Sequence, residues 1–182
     1  LASPLNAFLP SDDELERELL AEIKKIGMQL PQTTLPSWSG IINPPLYGIK
    51  YHYQLFNHRQ LIVLLKTIRH LRELYTNLIE SGYYSRDTAI GIVSFLSAFI
   101  DQLVDWNSRL SMWIEENEQV GRALSGPGLP MFWRYAEIDP FMDGPANLYG
   151  KLKRIITSLK FISSINGREQ VRTHIGLSLI HI

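Results

Sequence analysis

Residues 95–113, FLSAFIDQLVDWNSRLSMW, form the apolar segment around which the rest of the chain is expected to pack. Their apolar side chains recur every three or four residues, which places them on one side of an α-helix. The members of this side are Phe95, Leu96, Phe99, Ile100, Leu103, Val104, Trp106 and Leu110. Serine and aspartate residues, among them Asp101, Asp105 and Ser108, fall on the opposite side. Because the apolar side is wide, we expect this helix to pack against several neighbours.

Asn107 interrupts this pattern, because its helical position points into the apolar side. A buried amide without hydrogen-bond partners costs about 1–3 kcal/mol of folding free energy. We therefore expect Asn107 to be buried and bonded to protein groups that fix the packing of the helix. A polar group that is kept for a ligand or partner is the alternative.

The composition of the 182 residues, 45% apolar and 20% charged, is that of one globular domain with a sizeable core. The absence of cysteine excludes disulfides, thiol nucleophiles and cysteine-ligated zinc within this segment. No apolar run is expected to reach the length of a membrane span, because Asp101 and Asp105 interrupt the best candidate. We therefore expect no membrane contact and a cytoplasmic location. The first residues lack the features of a signal peptide and are expected to continue from a longer protein.

Charge is segregated along the chain although the net charge is zero. Residues 1–49 and 101–143 are acidic, whereas residues 50–100 and 144–182 are basic. Blocks of opposite sign usually pair within a fold, but the last block could face an external polyanion. An apolar stripe holds one face of this segment inward, and we expect the basic residues to lie off it. The candidate DNA contacts are Lys151, Lys153, Arg154 and Lys160.

Helix signals divide the chain into four segments. Ser11 and Glu14 form a capping box that begins the first helix, and Gly27 ends it. The prolines and glycines that follow forbid regular structure. The expected segments are an N-terminal helix at 1–29, a Pro/Gly-rich connecting loop at 30–56, a helical domain at 57–165 and a disordered or artefactual tail at 166–182.

Two long helices, over residues 57–82 and 85–113, are predicted to form an antiparallel hairpin. Asn57 caps the first, with Gln60 at the capping-box position, and Gly82 ends it. The predicted fold is mainly α, a helical bundle around this hairpin with a proline-rich irregular loop. The apolar stripe expected on the first helix is Leu61, Leu64, Leu65, Ile68, Leu71, Tyr75, Leu78 and Ile79.

The part of the chain beyond the hairpin is expected to contain a loop and two more helices. Residues 114–128 are acidic and then glycine-rich, which predicts a loop. Pro130 suits the start of a short helix through Glu137, which Pro140 would end. The last helix is predicted to end at residues 166–167, and its stripe is Leu148, Leu152, Ile155, Leu159 and Ile162.

One short motif is compatible with catalysis. The sequence of residues 43–46, Asn-Pro-Pro-Leu, is similar to the tetrad with which amino-methylating DNA methyltransferases hold a flipped base. Leu46 stands where that tetrad has an aromatic residue, Tyr47 comes one position late, and no strand precedes the motif. We therefore favour an irregular crossing loop. His52, His58 and His70 lack the spacing of a helical metal pair.

Three runs, at residues 47–61, 101–113 and 129–141, together resemble the large prokaryotic adenine-specific DNA methylases that contain a zinc ribbon. The resemblance spans roughly residues 30–165. Residues 125–128, Ser-Gly-Pro-Gly, depart from the helix start that is usual there. The positions that match the family pattern are Arg59, Gln60, Asp101, Asp105, Asn107, Ser108, Trp113, Trp133, Glu137, Pro140 and Phe141.

The resemblance implies that this chain is a fragment of a larger α/β methyltransferase. In that family an S-adenosylmethionine motif lies upstream of the matching region and an Asp-Pro-Pro-Tyr catalytic motif lies downstream. The matching region is a helical insertion for target recognition or bracing, with no catalytic, cofactor-binding or metal-binding residue of its own. The implied partners are DNA and the rest of the parent enzyme, in a restriction or defence setting, and the fragment alone would be inactive.

A second function, a helical protein–protein interaction module without a DNA role, remains open because the chain has no net positive charge. The ending at residues 176–182, GLSLIHI, resembles translated sequencing-adaptor read-through and is not assigned to the natural protein.

Overall fold

The computed structural model describes residues 10–36, 44–125, 134–144 and 147–164. The helices in this part are α1 (Asp12–Ile26), α2 (His58–Glu80), α3 (Arg86–Trp106) and α4 (Leu148–Ser164). A small antiparallel hairpin pairs β1 (Trp113–Ile114) with β2 (Gln119–Val120). Short 3-10 turns lie at Pro44–Tyr47, His52–Leu55 and Glu115–Asn117. The mainly α fold predicted from the sequence is confirmed.

The ends of α1 are those that the sequence predicts. The Ser11 hydroxyl accepts a hydrogen bond from the Glu14 backbone N–H, and the Glu14 carboxylate accepts one from the Ser11 N–H at 2.8 Å. Gly27 ends the helix in the left-handed conformation, with φ of 66°, which favours glycine because no Cβ is present to clash.

Helix α1 packs along α2 through a shared apolar cluster. Its buried members are Leu15, Leu19, Leu61, Ile62 and Leu65. Two ion pairs flank the cluster, Glu18 with Lys66 at 2.6 Å and Glu22 with Arg69 at 3.1 Å. They join the acidic first block to the basic second block, so the expectation that these charge blocks pair within the fold is confirmed.

Helices α2 and α3 form the predicted antiparallel hairpin. Gly82 turns the chain with φ of 68°, and the Ser85 hydroxyl accepts a hydrogen bond from the Thr88 N–H to cap α3. Burial is concentrated near the open end of the hairpin. Ile79, at the turn end of α2, is 38% exposed, and Phe95, halfway along α3, is 48% exposed. The apolar stripes are therefore less completely covered than the sequence predicts.

Helix α3 ends at Trp106, seven residues before the predicted boundary at Trp113. Asn107 leaves the helical conformation, with φ of −134° and ψ of 68°. The N–H of Arg109, which in a longer helix would donate to the Asp105 carbonyl, donates instead to the carbonyl of Leu55 at 2.8 Å. A contact from a distant 3-10 turn therefore replaces the bond that would have continued the helix.

The chain beyond α3 returns across the open end of the hairpin. Leu110 joins a second apolar cluster, whose other buried members are Leu35, Ile49, Leu55 and Ala123. Residues 113–120 form the β-hairpin, where a loop was expected. The described part of the predicted short helix, residues 134–137, is not helical. Residues 126–133 lie outside the described residues.

The Pro/Gly-rich segment is irregular in its described parts, as expected. It contains two of the 3-10 turns, and the N–H of Leu35 donates to the carbonyl of Lys50 at 2.8 Å. Residues 37–43 lie outside the described residues. Helix α4 begins as predicted, but its predicted end at residues 166–167 and the predicted tail at 166–182 also lie outside them.

Helix α3 has the length and composition of a membrane-spanning helix, and only 11% of its most apolar window is buried. The sequence-based expectation that no such run exists was therefore wrong by this criterion. Length and composition do not separate a membrane span from an apolar helix of a bundle.

The buried cluster between α1 and α2 should dominate stability. Leu61→Ala removes a side chain that is 7% exposed, and we expect a loss of about 2–5 kcal/mol in the free energy of unfolding. Leu46→Ala, at a side chain that is 80% exposed, is the control and should change this free energy by less than about 0.5 kcal/mol. Urea denaturation measures both variants, and similar losses would contradict the assigned core.

The Glu22 carboxylate gives stability a pH dependence. Hydrogen bonds from Lys25 and then Arg69 lower its pKa in the folded chain. Its contribution is therefore present above the ordinary pKa and lost as the pH falls through the folded pKa. From about pH 5 to about pH 2, Glu22→Gln should lose less unfolding free energy than the wild type. Glu16→Gln, on the exposed side of α1, should follow the wild type, and identical curves for all three proteins would refute the assignment.

Candidate functional site

A buried pair of amides joins the start of α2 to the end of α3. Gln60 is 1% exposed and Asn107 is 4% exposed. The Gln60 side-chain amide donates to the Asn107 side-chain oxygen at 3.3 Å, while its own oxygen accepts from the Asn57 N–H at 3.0 Å. Asn57 completes the capping box by accepting from the Gln60 N–H. The expectation of a buried, protein-bonded Asn107 is confirmed, although it lies at the helix end rather than within the helix.

The same cap contacts the segment that follows the β-hairpin. The Asn57 amide donates to the Tyr135 hydroxyl at 3.1 Å and also to the Glu137 carboxylate. The Arg59 guanidinium donates two hydrogen bonds to that carboxylate, at 3.0 and 2.9 Å. We call these residues the polar junction: Asn57, Arg59, Gln60, Asn107, Tyr135 and Glu137.

The polar groups of the junction form hydrogen bonds with one another. Both carboxylate oxygens of Glu137 accept hydrogen bonds, and Glu137 raises the pKa of the Arg59 guanidinium. The Arg109 guanidinium lies 5.9 Å from the centroid of the Tyr135 ring, a weak cation–π contact. A carboxylate held by a bidentate arginine is a poor general base, because protonating it would break charge-assisted bonds. The geometry favours a structural role.

Asp105 is buried, which corrects its expected place on the polar side of the helix. Its carboxylate accepts from the Arg122 guanidinium at 2.5 Å and from the Leu124 N–H at 2.9 Å. Its backbone carbonyl, free at the helix end, accepts from the Ala123 N–H at 2.7 Å. The chain returning after β2 therefore covers Asp105 and binds it at three points.

The remaining family-pattern residues are scattered. Ser108 is buried beside Ser111, with its N–H donating to the Ser111 hydroxyl at 3.3 Å. Pro140 is buried, and its carbonyl accepts from the first N–H of α4. Trp113 and Phe141 are mostly exposed, Asp101 lies on the exposed side of α3 with its pKa raised by desolvation, and Trp133 lies outside the described residues.

Lys151 was expected to be exposed, and this was wrong. It is 5% exposed, and its ammonium lies 4.3 Å from the centroid of the Trp106 ring. The signal was present in the sequence: Lys151 follows Leu148 by three residues and precedes Ile155 by four, so it lies at the edge of the apolar stripe. Asn147 caps α4, since its side-chain oxygen accepts from the Gly150 N–H at 2.9 Å.

Lys153, Arg154 and Lys160 are exposed, as expected. Lys153 and Lys160 are seven residues apart and share the face of α4 opposite its stripe. Arg154 lies on another side, where with Lys151 it lines a groove between α3 and α4. The four candidate DNA contacts therefore do not form one surface.

The methyltransferase-like tetrad does not form a described site. Pro44, Pro45 and Leu46 belong to a 3-10 turn that follows no strand, and Asn43 lies outside the described residues. Within residues 10–36, 44–125, 134–144 and 147–164, no group of three His, Asp or Glu side chains could hold a metal ion.

Sequence reasoning missed several members of these clusters. Tyr135 and Arg122 lie in segments that were expected to be a short helix and a loop, and neither has a periodicity that reveals its partner. Asn57 was identified only as a cap, because the contacts it makes with residues 78 and 80 positions away have no local signature. No protein-family model, no curated protein and no solved structure matches this chain.

The amide pair makes a testable contribution to stability. Asn107→Leu leaves the Gln60 amide without its acceptor inside the fold, so we expect a loss of about 1–3 kcal/mol in the free energy of unfolding. Asn77→Leu makes the same chemical change at an exposed position of α2 and should be nearly neutral. Denaturant melts that do not distinguish the two variants would contradict the role given to Asn107.

Proposed function

We propose that this chain is a non-catalytic helical segment of an S-adenosylmethionine-dependent, adenine-specific DNA amino-methyltransferase. It braces the catalytic part of that enzyme and contacts the DNA backbone. The observation that carries the proposal is the meeting of three family-like runs at the polar junction. Arg59 and Gln60 come from the first run, Asn107 from the second and Glu137 from the third.

The internal bonding of the polar junction favours bracing over chemistry. Its polar groups bind one another across 47 to 80 residues of sequence, so they hold the open end of the helix hairpin together. The proposal therefore gives this segment no catalytic or cofactor-binding residue, and assigns S-adenosylmethionine to the parent enzyme.

The face of α4 that carries Lys153 and Lys160 supports contact with DNA. Both lysines are exposed, and neither takes part in an ion pair within the described part of the chain. Lysines in such a position neutralise phosphates without reading base sequence. The expected affinity is weak and sensitive to salt.

A helical protein–protein interaction module without a DNA role is the second candidate. It is favoured by large apolar side chains on the surface, including Tyr83, Tyr149 and Phe161, which are 89%, 69% and 68% exposed. The flanking coding sequence separates the two functions. A glycine-rich cofactor motif upstream and an Asp-Pro-Pro-Tyr motif downstream are expected only for the methyltransferase segment.

Charge reversal of the α4 face tests DNA binding. Fluorescence anisotropy with two unrelated DNA duplexes at low salt should give similar, weak affinities for the wild type. In Lys153→Glu/Lys160→Glu the affinity for both duplexes should fall. The negative slope of log K against log salt concentration should become shallower by about two, because two phosphate contacts are lost.

The control is Lys24→Glu/Lys50→Glu, which changes the net charge equally at exposed positions on other elements. It should retain most of the affinity. Equal loss in both double variants, or no binding by the wild type at low salt, would remove α4 from the DNA interface and favour the interaction module.

A further inference from the structure

A groove of about 270 Å³ runs between α3 and α4. Its apolar wall consists of Phe95, Ala98, Ile155, Leu159 and Ile162, and Gln102 and Ser158 add polar groups. Its volume is just below the roughly 300–1,000 Å³ that is usual for small-molecule sites. The groove therefore suits a small ligand.

Two cations, Lys151 and Arg154, lie among the lining residues. None of the described lining residues is acidic. Asp105 is the acid whose charge favours the protonated form of the Lys151 amine, but its carboxylate is already bound by Arg122 and by the Leu124 N–H. The charge of this site is therefore positive without a compensating carboxylate of its own.

The Lys151 ammonium is buried without an anionic partner. None of the ion pairs in the described part of the chain includes it, and its one ring contact is with Trp106. Burial lowers the pKa of this amine, and the nearby Arg154 and Arg122 lower it further. A buried ammonium costs folding free energy unless an anion compensates it, and such an anion can approach only from outside the described fold.

We infer that the groove between α3 and α4 binds a small amphiphilic carboxylate, such as a medium-chain fatty acid. The carboxylate accepts hydrogen bonds from Lys151 and from the guanidinium fork of Arg154, which suits the two oxygens of that group. The alkyl chain lies along the apolar wall. This site is independent of the DNA face, since Lys153 and Lys160 lie on the opposite side of α4.

Calorimetry on the whole chain with decanoate, below its critical micelle concentration, tests the inference. Decanoate should bind with one-to-one stoichiometry. Decanol has the same chain without charge and acetate has the charge without the chain, so each should bind at least about tenfold more weakly. The pKa of the Lys151 amine, followed by NMR, should rise when decanoate is bound, because a carboxylate stabilises the ammonium. Covering the amine with apolar groups alone would not raise this pKa.

Three variants locate the site. Lys151→Met keeps the unbranched stem but removes the charge, so it should weaken decanoate binding about tenfold and leave decanol binding unchanged. Lys153→Met, two residues away on the exposed face, is the matched control and should bind decanoate as the wild type does. Ser158→Trp fills the groove while leaving Lys151 in place, and should abolish binding of both ligands.

Several results would overturn the inference: no decanoate binding by the folded wild type, equal affinity for decanoate and decanol, or unchanged binding in the Ser158→Trp variant. If Lys151→Met fails to fold by circular dichroism, the Ser158→Trp variant and the comparison with decanol and acetate still decide. Loss of DNA binding in the α4 charge reversal would leave these results unchanged, so the two proposals can fail separately.

Discussion

The hydrogen bond between the buried amides of Gln60 and Asn107 is the interaction on which the open end of the hairpin depends. Gln60 caps α2 with one half of its amide and holds Asn107, at the end of α3, with the other half. A buried amide tolerates few other arrangements of its neighbours, because each hydrogen bond that it fails to make costs about 1–3 kcal/mol of folding free energy. The bond therefore fixes the relative position of the two helix ends.

The end of α3 at Trp106 follows from contacts made by distant parts of the chain. The Asp105 carbonyl binds the Ala123 N–H, and the Arg109 N–H binds the Leu55 carbonyl. In a longer helix these two groups would have bonded to each other. Their separate partners draw the Pro/Gly-rich segment and the irregular segment after the β-hairpin onto one end of the bundle, where the second apolar cluster forms.

The charges of the chain divide into two kinds with different implications. Glu22, Asp105 and Glu137 are bound by arginines within the fold, so they stabilise it and have little capacity for chemistry. The cations of α4 have no such partners among the described residues. Lys153 and Lys160 are hydrated on an exposed face, whereas Lys151 is buried against Trp106. An external anion is therefore expected at α4 rather than at the polar junction.

Local features of the sequence predicted that α1, α2, α3 and α4 are helices, where α1 and α2 begin, and that α2 and α3 form a hairpin. The short helix expected through Glu137 is not formed at residues 134–137. Ser11, Asn57 and Ser85 cap helices through bonds to the third residue beyond them, and Gly82 permits a left-handed turn. Helical spacing also predicted that Asn107 is buried. The spacing of Leu148, Lys151 and Ile155 places Lys151 beside the apolar stripe, but its charge led to the wrong prediction that it is exposed.

The end of α3, the burial of Asp105 and the meeting of residues at the polar junction all depend on tertiary contacts. Asp105 lies on the polar side of its helix by periodicity, yet the returning chain at residues 122–124 covers that side and supplies a guanidinium and an N–H. Glu137 meets Arg59 across 78 residues. Such contacts depend on how segments without a strong preference for helix or strand pack together. The periodicity of a single sequence predicts local structure but does not predict which distant segments meet.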